Sequence, residues 1–291
     1  MATPSETQRS SPMTRLRELN SNLPRLDWVT VELNGARYRL PFCFRKGTNG
    51  PALLFVHGLG GAKENFYAAF QSAALAHCDL LAFDFPGTGL AEFDAATCSD
   101  VSTLADLTHL LLKELLSRDV FIVAASMGGL IALLLCRRYG TEEMRGFVNI
   151  EGNLAPEDCM FSRRVATHSF DELSATLFDQ IQTELSSSNY AGDRMIAHNM
   201  ALNTDVRAYY AYSFETVRES DSGRLLDEYL NLPVPKLFLY GEANRTLSYL
   251  PALRAGNVEV SEIPRSAHFL FYDNPVVTFE EIGRFVNRFS E

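Results

Sequence analysis

The sequence has 291 residues, of which 46% are hydrophobic and 21% are charged, a composition typical of globular proteins. That hydrophobic content is too high for a chain that is disordered throughout. Asp and Glu number 36 against 26 Lys and Arg, giving a formal charge of -10, which would repel the phosphate backbone of a nucleic acid. We therefore expect a folded, soluble protein with no nucleic-acid partner.

The termini and the cysteines indicate where the protein resides. Residues 1–23 are rich in Ser and Thr and contain no apolar core of a secretory signal, so we predict a disordered N-terminal tail. The uncharged run at 120–136 is interrupted by two glycines and is shorter than the roughly 20 residues that cross a bilayer, so no membrane span is expected. The five cysteines lie far apart with no C-x-x-C pair. This spacing predicts reduced thiols in the cytoplasm and no metal site.

The predicted elements begin with a β-hairpin. Residues 28–33 and 37–42 alternate apolar and polar side chains on either side of Asn34-Gly35, which is a strong hairpin signal. Short apolar runs then alternate with segments of helical periodicity. Strands are predicted at 52–56, 80–83, 120–125, 146–150, 236–240 and 258–263, and helices at 64–76, 103–116, 130–139 and 275–289. This alternation predicts an α/β fold with a mostly parallel sheet.

A long segment interrupts the alternation. Residues 153–232 contain no convincing core strand and show only helical periodicity. Because so long a structureless loop would be unusual inside a compact domain, we predict a helical cap here. The core is then formed by residues 24–152 and 233–291.

The run AASMGG at residues 124–129 joins a buried strand to a helix. It resembles the G-x-S-x-G nucleophile elbow of the α/β-hydrolase fold superfamily, whose sharp turn requires small residues around the nucleophile. Ala124 stands in place of the first glycine of that pattern. The resemblance implies an eight-stranded, mostly parallel sheet flanked by helices, with Ser126 as the nucleophile.

Two further motifs follow the order of the same superfamily. LLFVHGLGG at 53–61 resembles the loop that supplies one amide of the oxyanion hole. The resemblance implies that the amides of Leu59 and Met127 would bind the negative charge that develops on a carbonyl oxygen. FDFPGTG at 83–89 resembles the D-x-P-G-x-G turn, and Asp84 is expected to anchor that turn rather than to act in catalysis.

The segment RSAHFLFYDNP at 265–275 follows the last predicted strand. It resembles the superfamily segment that carries the catalytic histidine, which implies that His268 is the general base. Its position after the nucleophile in the chain agrees with the order usual in these enzymes.

The expected catalytic acid departs from the commonest pattern of the superfamily. In GEAN at 241–244, Asn244 stands where the superfamily usually has Asp, and an amide cannot stabilise an imidazolium. Glu151 directly follows the strand at 146–150, and certain relatives carry their acid at that place. We therefore predict a Ser126–His268–Glu151 triad, with Glu242 as the alternative acid.

These motifs predict a serine hydrolase that cleaves a small, apolar carboxylic ester, thioester or lactone through an acyl-enzyme, without a metal or organic cofactor. Two alternatives stay open. The same triad also serves C–C hydrolases and lyases, and the missing aspartate at Asn244 would suit a non-catalytic receptor or scaffold on a hydrolase fold. The sequence identifies no substrate-binding residues and leaves open whether the chain forms a homodimer.

Overall fold

The computed structural model describes residues 24–98, 100–116 and 119–290; the predicted N-terminal tail lies outside these residues. A single sheet contains eight strands in the order β1-β2-β4-β3-β5-β6-β7-β8. The strands are β1 (Arg25–Leu33), β2 (Ala36–Arg45), β3 (Ala52–Val56), β4 (Asp79–Phe83), β5 (Val120–Ala125), β6 (Met144–Ile150), β7 (Lys236–Gly241) and β8 (Glu259–Ile263).

The predicted hairpin forms one edge of the sheet. β1 and β2 are antiparallel, with Leu33 opposite Ala36. The two turn residues Asn34 and Gly35 both have positive φ, 52° and 81°, as a two-residue type I′ turn requires. β2 also runs antiparallel to β4, whereas every pairing from β4 through β3, β5, β6 and β7 to β8 is parallel. The predicted α/β class with a mostly parallel eight-stranded sheet is confirmed.

Helices connect the strands. The α-helices are α1 (Tyr67–Gln71), α2 (Val101–Leu115), α3 (Met127–Tyr139), α4 (Met160–Ala166), α5 (Phe170–Glu172), α6 (Phe178–Ser186), α7 (Ala191–Asn203), α8 (Val206–Ser220), α9 (Leu225–Asn231), α10 (Leu250–Ala255), α11 (Leu270–Asp273) and α12 (Pro275–Arg288). A π-helical stretch, Leu173–Leu177, links α5 to α6, and 3₁₀ turns occupy Lys63–Phe66, Ala73–Leu75, Pro156–Asp158 and Glu242–Asn244.

The prediction of one continuous helix over residues 64–76 is wrong. The chain breaks at Ser72, whose backbone is extended with ψ 126°. The guanidinium of Arg45 donates hydrogen bonds to the carbonyls of Phe70 and Leu75, at 2.7 and 2.5 Å. An internal arginine thus binds carbonyls on both sides of the break, and this long-range interaction overrides the local helical periodicity.

The strands separate two apolar clusters, one on each face of the sheet. In β3, Leu54 and Val56 point into the cluster that contains α2 and α3. Leu53 and Phe55 point into the opposite cluster, which contains α1 and α12. Side chains alternate between the two faces along a strand. Since both sets of side chains are buried here, the strand is apolar throughout and lacks the polar face of an exposed sheet. Burial on both faces is typical of parallel sheets covered by helices.

Helices α4–α9 occupy the sequence between β6 and β7, where the described residues form no strand of the sheet. They lie close to the loops that follow β3 and β4. Asn199 Nδ2 donates to the carbonyl of Gly60 at 2.7 Å, and Tyr212 Oη donates to that of Pro86 at 2.9 Å. The division of the chain into a core and a cap stays a prediction. None of the helices in the described part of the chain is long and apolar enough to cross a membrane.

Candidate active site

Ser126 lies in the turn between β5 and α3. Its backbone has φ 53° and ψ -128°, a strained conformation that costs a side-chain-bearing residue on the order of 1–3 kcal/mol. The turn is held by the Ser126 amide, which donates to the Ile150 carbonyl at 3.1 Å. The space around the turn is tight, since a Cβ added at Gly58 would lie 2.7 Å from Ser126 Cβ. The close approach of the two loops therefore requires glycine at residue 58.

The loop after β3 is fixed by the buried side chain of His57. Its Nδ1 lies 2.9 Å from the Gly58 carbonyl, and its Nε2 accepts a hydrogen bond from the Phe85 amide at 3.3 Å. Burial lowers the pKa of His57 to about 4, so the ring is neutral at physiological pH. His57 thus links the two loops that follow β3 and β4.

Asp84 has the structural role predicted for it. Its carboxylate accepts hydrogen bonds from the Lys63 amide, the Lys63 ammonium and the Leu90 amide, at 2.8, 2.7 and 3.0 Å. The side chains of Asp84 and Lys63 are both fully buried. This ion pair fixes the turn after β4 against the segment that follows the β3 loop.

Glu151 and His268 are in direct contact. The Nδ1 of His268 lies 2.9 Å from Oε2 of Glu151, although the two residues are 117 positions apart in the chain. Glu151 directly follows β6, has a left-handed backbone with φ 43°, and is only 4% exposed. His268 lies in the loop between β8 and α11. The carboxyl ends of two strands therefore bring these side chains to the same edge of the sheet.

The end of β7 supplies two donors to the Glu151 carboxylate. The Gly241 amide donates to Oε1 at 2.7 Å, and Asn244 Nδ2 donates to Oε2 at 2.7 Å. The sequence alone marks Asn244 only as the residue that stands in place of the usual aspartate. The only sequence signal was its place after the strand that neighbours β6. Asn244 thus holds the carboxylate that contacts the histidine.

Glu242, the alternative acid, lies elsewhere. Its Oε2 accepts a hydrogen bond from the Arg265 amide at 2.8 Å, and its Oε1 pairs with the exposed guanidinium of Arg245 at 3.4 Å. The structure therefore brings Glu151, and not Glu242, to His268.

The electrostatic surroundings of His268 favour its protonated form. Burial alone lowers the pKa of this imidazole, but the hydrogen bond and charge of Glu151, with the charges of Asp158 and Asp193, outweigh burial and raise it above the ordinary value. Asp158 is itself perturbed, because burial raises the pKa of its carboxyl to about 6 against the opposing effect of its hydrogen bonds.

A small cavity of about 40 Å³ is lined by four of the five predicted site residues. Its lining includes Ser126, His268, Leu59 and Met127. Within the described residues no hydrogen bond joins Ser126 to His268. In enzymes generally, catalytic hydrogen bonds are often long in the free protein and tighten in the complex with substrate. The remaining lining residues are Asn153, Asp158, Met160, Phe161, Ser162, Tyr209, Thr216 and Phe269.

Within residues 24–98, 100–116 and 119–290, no group of three or more His, Cys, Asp or Glu side chains is arranged to hold a metal ion. The five cysteines are buried free thiols.

The comparisons with known proteins bear on the family and the fold of the chain. The model of the Alpha/beta hydrolase family matches residues 53–281. An esterase from Thermogutta terrifontis is 20% identical and superposes with a TM-score of 0.74, over 92% of this chain and 100% of that one. The N-acyl homoserine lactonase AidH is 16% identical, with a TM-score of 0.69 over 92% and 98% of the two chains.

An enol-lactonase from Burkholderia xenovorans is 17% identical, with a TM-score of 0.66 over 89% of this chain and 100% of that one. At these identities the likeness shows the fold alone. No match was found among curated proteins. The family model, however, spans more than half of the sequence, and the chain therefore belongs to the alpha/beta hydrolase family and is a hydrolase.

Proposed function

We propose that this hydrolase cleaves a small carboxylic ester, thioester or lactone through an acyl-enzyme formed on Ser126. The observation that carries the proposal is the 2.9 Å contact between His268 Nδ1 and Glu151 Oε2, with His268 and Ser126 lining one cavity. When Nδ1 donates its hydrogen to a carboxylate, Nε2 keeps a free lone pair and can accept a proton. This is the tautomer that a general base requires. Esterases and lactonases among proteins of the same fold support the class of substrate.

In the first half of the reaction, the Ser126 hydroxyl attacks the carbonyl carbon as its proton passes to His268 Nε2. The Glu151 carboxylate stabilises the resulting imidazolium, and the amides of Leu59 and Met127 donate to the oxyanion. The tetrahedral intermediate then collapses. The bond to the alcohol or thiol breaks, and the leaving group takes the proton from His268.

In the second half, water attacks the acyl-enzyme. His268 accepts a proton from the water and then returns one to Ser126, so the acid is released and the enzyme is regenerated. With a lactone, the leaving hydroxyl stays attached to the acyl group, and the product is a hydroxy acid. The small cavity favours short acyl or alcohol groups, and its Met160, Phe161 and Phe269 side chains favour apolar ones. We also propose that the protein resides in the reducing environment of the cytoplasm.

The test is hydrolysis of short p-nitrophenyl esters by the wild type and by Ser126→Ala, together with labelling by a fluorophosphonate. We expect turnover and labelling of the wild type at Ser126, and neither with Ser126→Ala. A folded wild type that neither turns over esters nor accepts the label would instead support a receptor or scaffold. Cleavage of a C–C bond without ester turnover would support the C–C hydrolase alternative.

A further inference from the structure

The cavity beside Ser126 is lined in part by polar side chains. Asn153, Asp158 and Thr216 line it together with Ser126. Two of these groups are already engaged. Thr216 Oγ1 donates to the Tyr212 carbonyl at 2.8 Å. The Asp158 carboxylate accepts from Tyr249 Oη on one oxygen, at 2.8 Å, and from backbone amides on the other.

Asn153 differs from these neighbours. It is only 2% exposed, and its Nδ2 donates to Ser220 Oγ at 3.2 Å and to Cys159 Sγ at 3.5 Å. Its Oδ1 accepts no hydrogen bond from any residue that the structure describes. This oxygen is not one of the fully buried side-chain atoms without a partner, so it keeps accessible surface, and it belongs to a residue that lines the cavity beside Ser126.

The position of Asn153 is fixed relative to the nucleophile. Its backbone amide donates to the Ser126 carbonyl at 3.4 Å. Asn153 is therefore held through its backbone amide and through its Nδ2 group, which has two further partners. Ser162 and Tyr209 also line the cavity, but a hydroxyl can donate or accept and so distinguishes a donor on the substrate from an acceptor less sharply. An amide oxygen only accepts.

We propose that Asn153 determines substrate specificity, by accepting a hydrogen bond from an O–H or N–H group that the substrate carries close to its scissile carbonyl. This inference rests on the proposed function and narrows it, from small esters in general to hydroxy- or amido-substituted esters and lactones. The substrate donor would complete the hydrogen bonding of Asn153. An alkyl substrate of the same size would leave Oδ1 without a donor, and sites of this kind reject such analogues.

The experiment compares matched esters that differ only by O–H against CH₃. One pair has the donor in the acyl part, p-nitrophenyl 2-hydroxypropanoate against 2-methylpropanoate. The other has it in the alcohol part, 2-hydroxyethyl against propyl butanoate. For each pair the ratio of kcat/KM, hydroxy over alkyl, is measured in the wild type and in variants. Intrinsic reactivity differs within a pair but is common to all enzymes, so it cancels between variants.

With at least one pair, we expect Asn153→Ala to lower this ratio about tenfold, the size of one ordinary hydrogen bond. Asn153→Asp retains an acceptor and is expected to keep the preference. Asn231→Ala is the matched control, because it makes the same change at an exposed asparagine whose Nδ2 donates to the Asp227 carbonyl and which is absent from the cavity lining, and its ratio should stay close to that of the wild type. Turnover of the alkyl ester and fluorophosphonate labelling of Ser126 show that each variant is folded.

Equal ratios in the wild type and Asn153→Ala, with both enzymes active on the alkyl esters, would overturn the inference and leave the proposed function standing. Loss of the preference in Tyr209→Phe but not in Asn153→Ala would assign the role to the tyrosine and would also overturn it. A folded wild type that hydrolyses none of the esters and is not labelled at Ser126 would overturn the proposed function itself.

Discussion

Replacing Glu151 with glutamine tests the acid at the centre of the site. The two oxygens of Glu151 accept from three donors: the Gly241 amide, Asn244 Nδ2 and the His268 ring. A glutamine has one oxygen and one NH₂ group. If its oxygen faces Gly241, its NH₂ confronts both the Asn244 and the His268 donors. If it is flipped, its NH₂ confronts the Gly241 amide.

In the first orientation, the imidazole can satisfy the glutamine only by presenting a lone pair at Nδ1. The proton then resides on Nε2, and the ring cannot accept the proton of Ser126. The equivalent loss in a serine protease lowers kcat by about 10⁴. We expect a fall of about 10³–10⁴ here, which corresponds to about 4–5.5 kcal/mol of transition-state stabilisation.

The assay is steady-state hydrolysis of a short p-nitrophenyl ester, with kcat and KM measured separately. KM should change little, because Glu151 is absent from the cavity lining. Glu242→Gln is the matched control, since that carboxylate contacts Arg265 and Arg245 instead, and it should retain activity. If Glu151→Gln stayed within about tenfold of the wild type while folded, or if Glu242→Gln lost as much, our assignment of the acid would be refuted.

Three further outcomes are expected. The raised pKa of His268 keeps its ring protonated to higher pH. We therefore expect kcat/KM to rise with pH, with a midpoint above about 6.5. Asp193→Asn should lower that midpoint, and an unmoved pH profile would show that the Asp193 charge does not raise the pKa of His268. Gly58→Ala places a Cβ 2.7 Å from Ser126 Cβ, which displaces the loop that carries Leu59, one of the two proposed oxyanion donors. We expect it to lower kcat by about 10²–10³, as checked by kinetics beside thermal unfolding, and an unchanged kcat would argue against the tight contact. Lys63→Met leaves the Asp84 carboxylate buried without its ammonium partner. It should lower the free energy of unfolding, measured by denaturant titration, by about 3–5 kcal/mol. A loss below about 1 kcal/mol, as for an exposed pair, would show that the pair is not buried.

The elements that could be predicted from sequence are those whose signal is local. Strands β3 and β5 match their predicted ranges because fully apolar runs are bounded by Gly, Pro or polar residues. The hairpin follows from Asn34-Gly35 in the same way. The predicted helix at 64–76 is wrong because the chain breaks at Ser72, where the distant Arg45 side chain binds carbonyls on both sides of the break. Local periodicity contains no information about such a partner.

The candidate site shows the same distinction. Ser126 and His268 lie in motifs that can be recognised along the chain, and Glu151 could be inferred from the end of its strand. The hydrogen bond from Asn244 to Glu151 joins residues 93 positions apart, and six helices lie between them. The free Oδ1 of Asn153 could be found only once the partners of every neighbouring group were known.

The neutral residue at 244 and the acid at 151 form one chemical arrangement. Two carboxylates at the 2.7 Å that separates Asn244 Nδ2 from Glu151 Oε2 would repel, and one of them would bind a proton. A shared proton would weaken the negative charge that His268 contacts. With asparagine at 244, the same place instead donates a hydrogen bond to Glu151 Oε2. With the proposed acid directly after β6, asparagine after β7 therefore supplies a hydrogen-bond donor where an aspartate would supply a second negative charge, and the apparent defect in the motif becomes part of the proposed catalytic machinery.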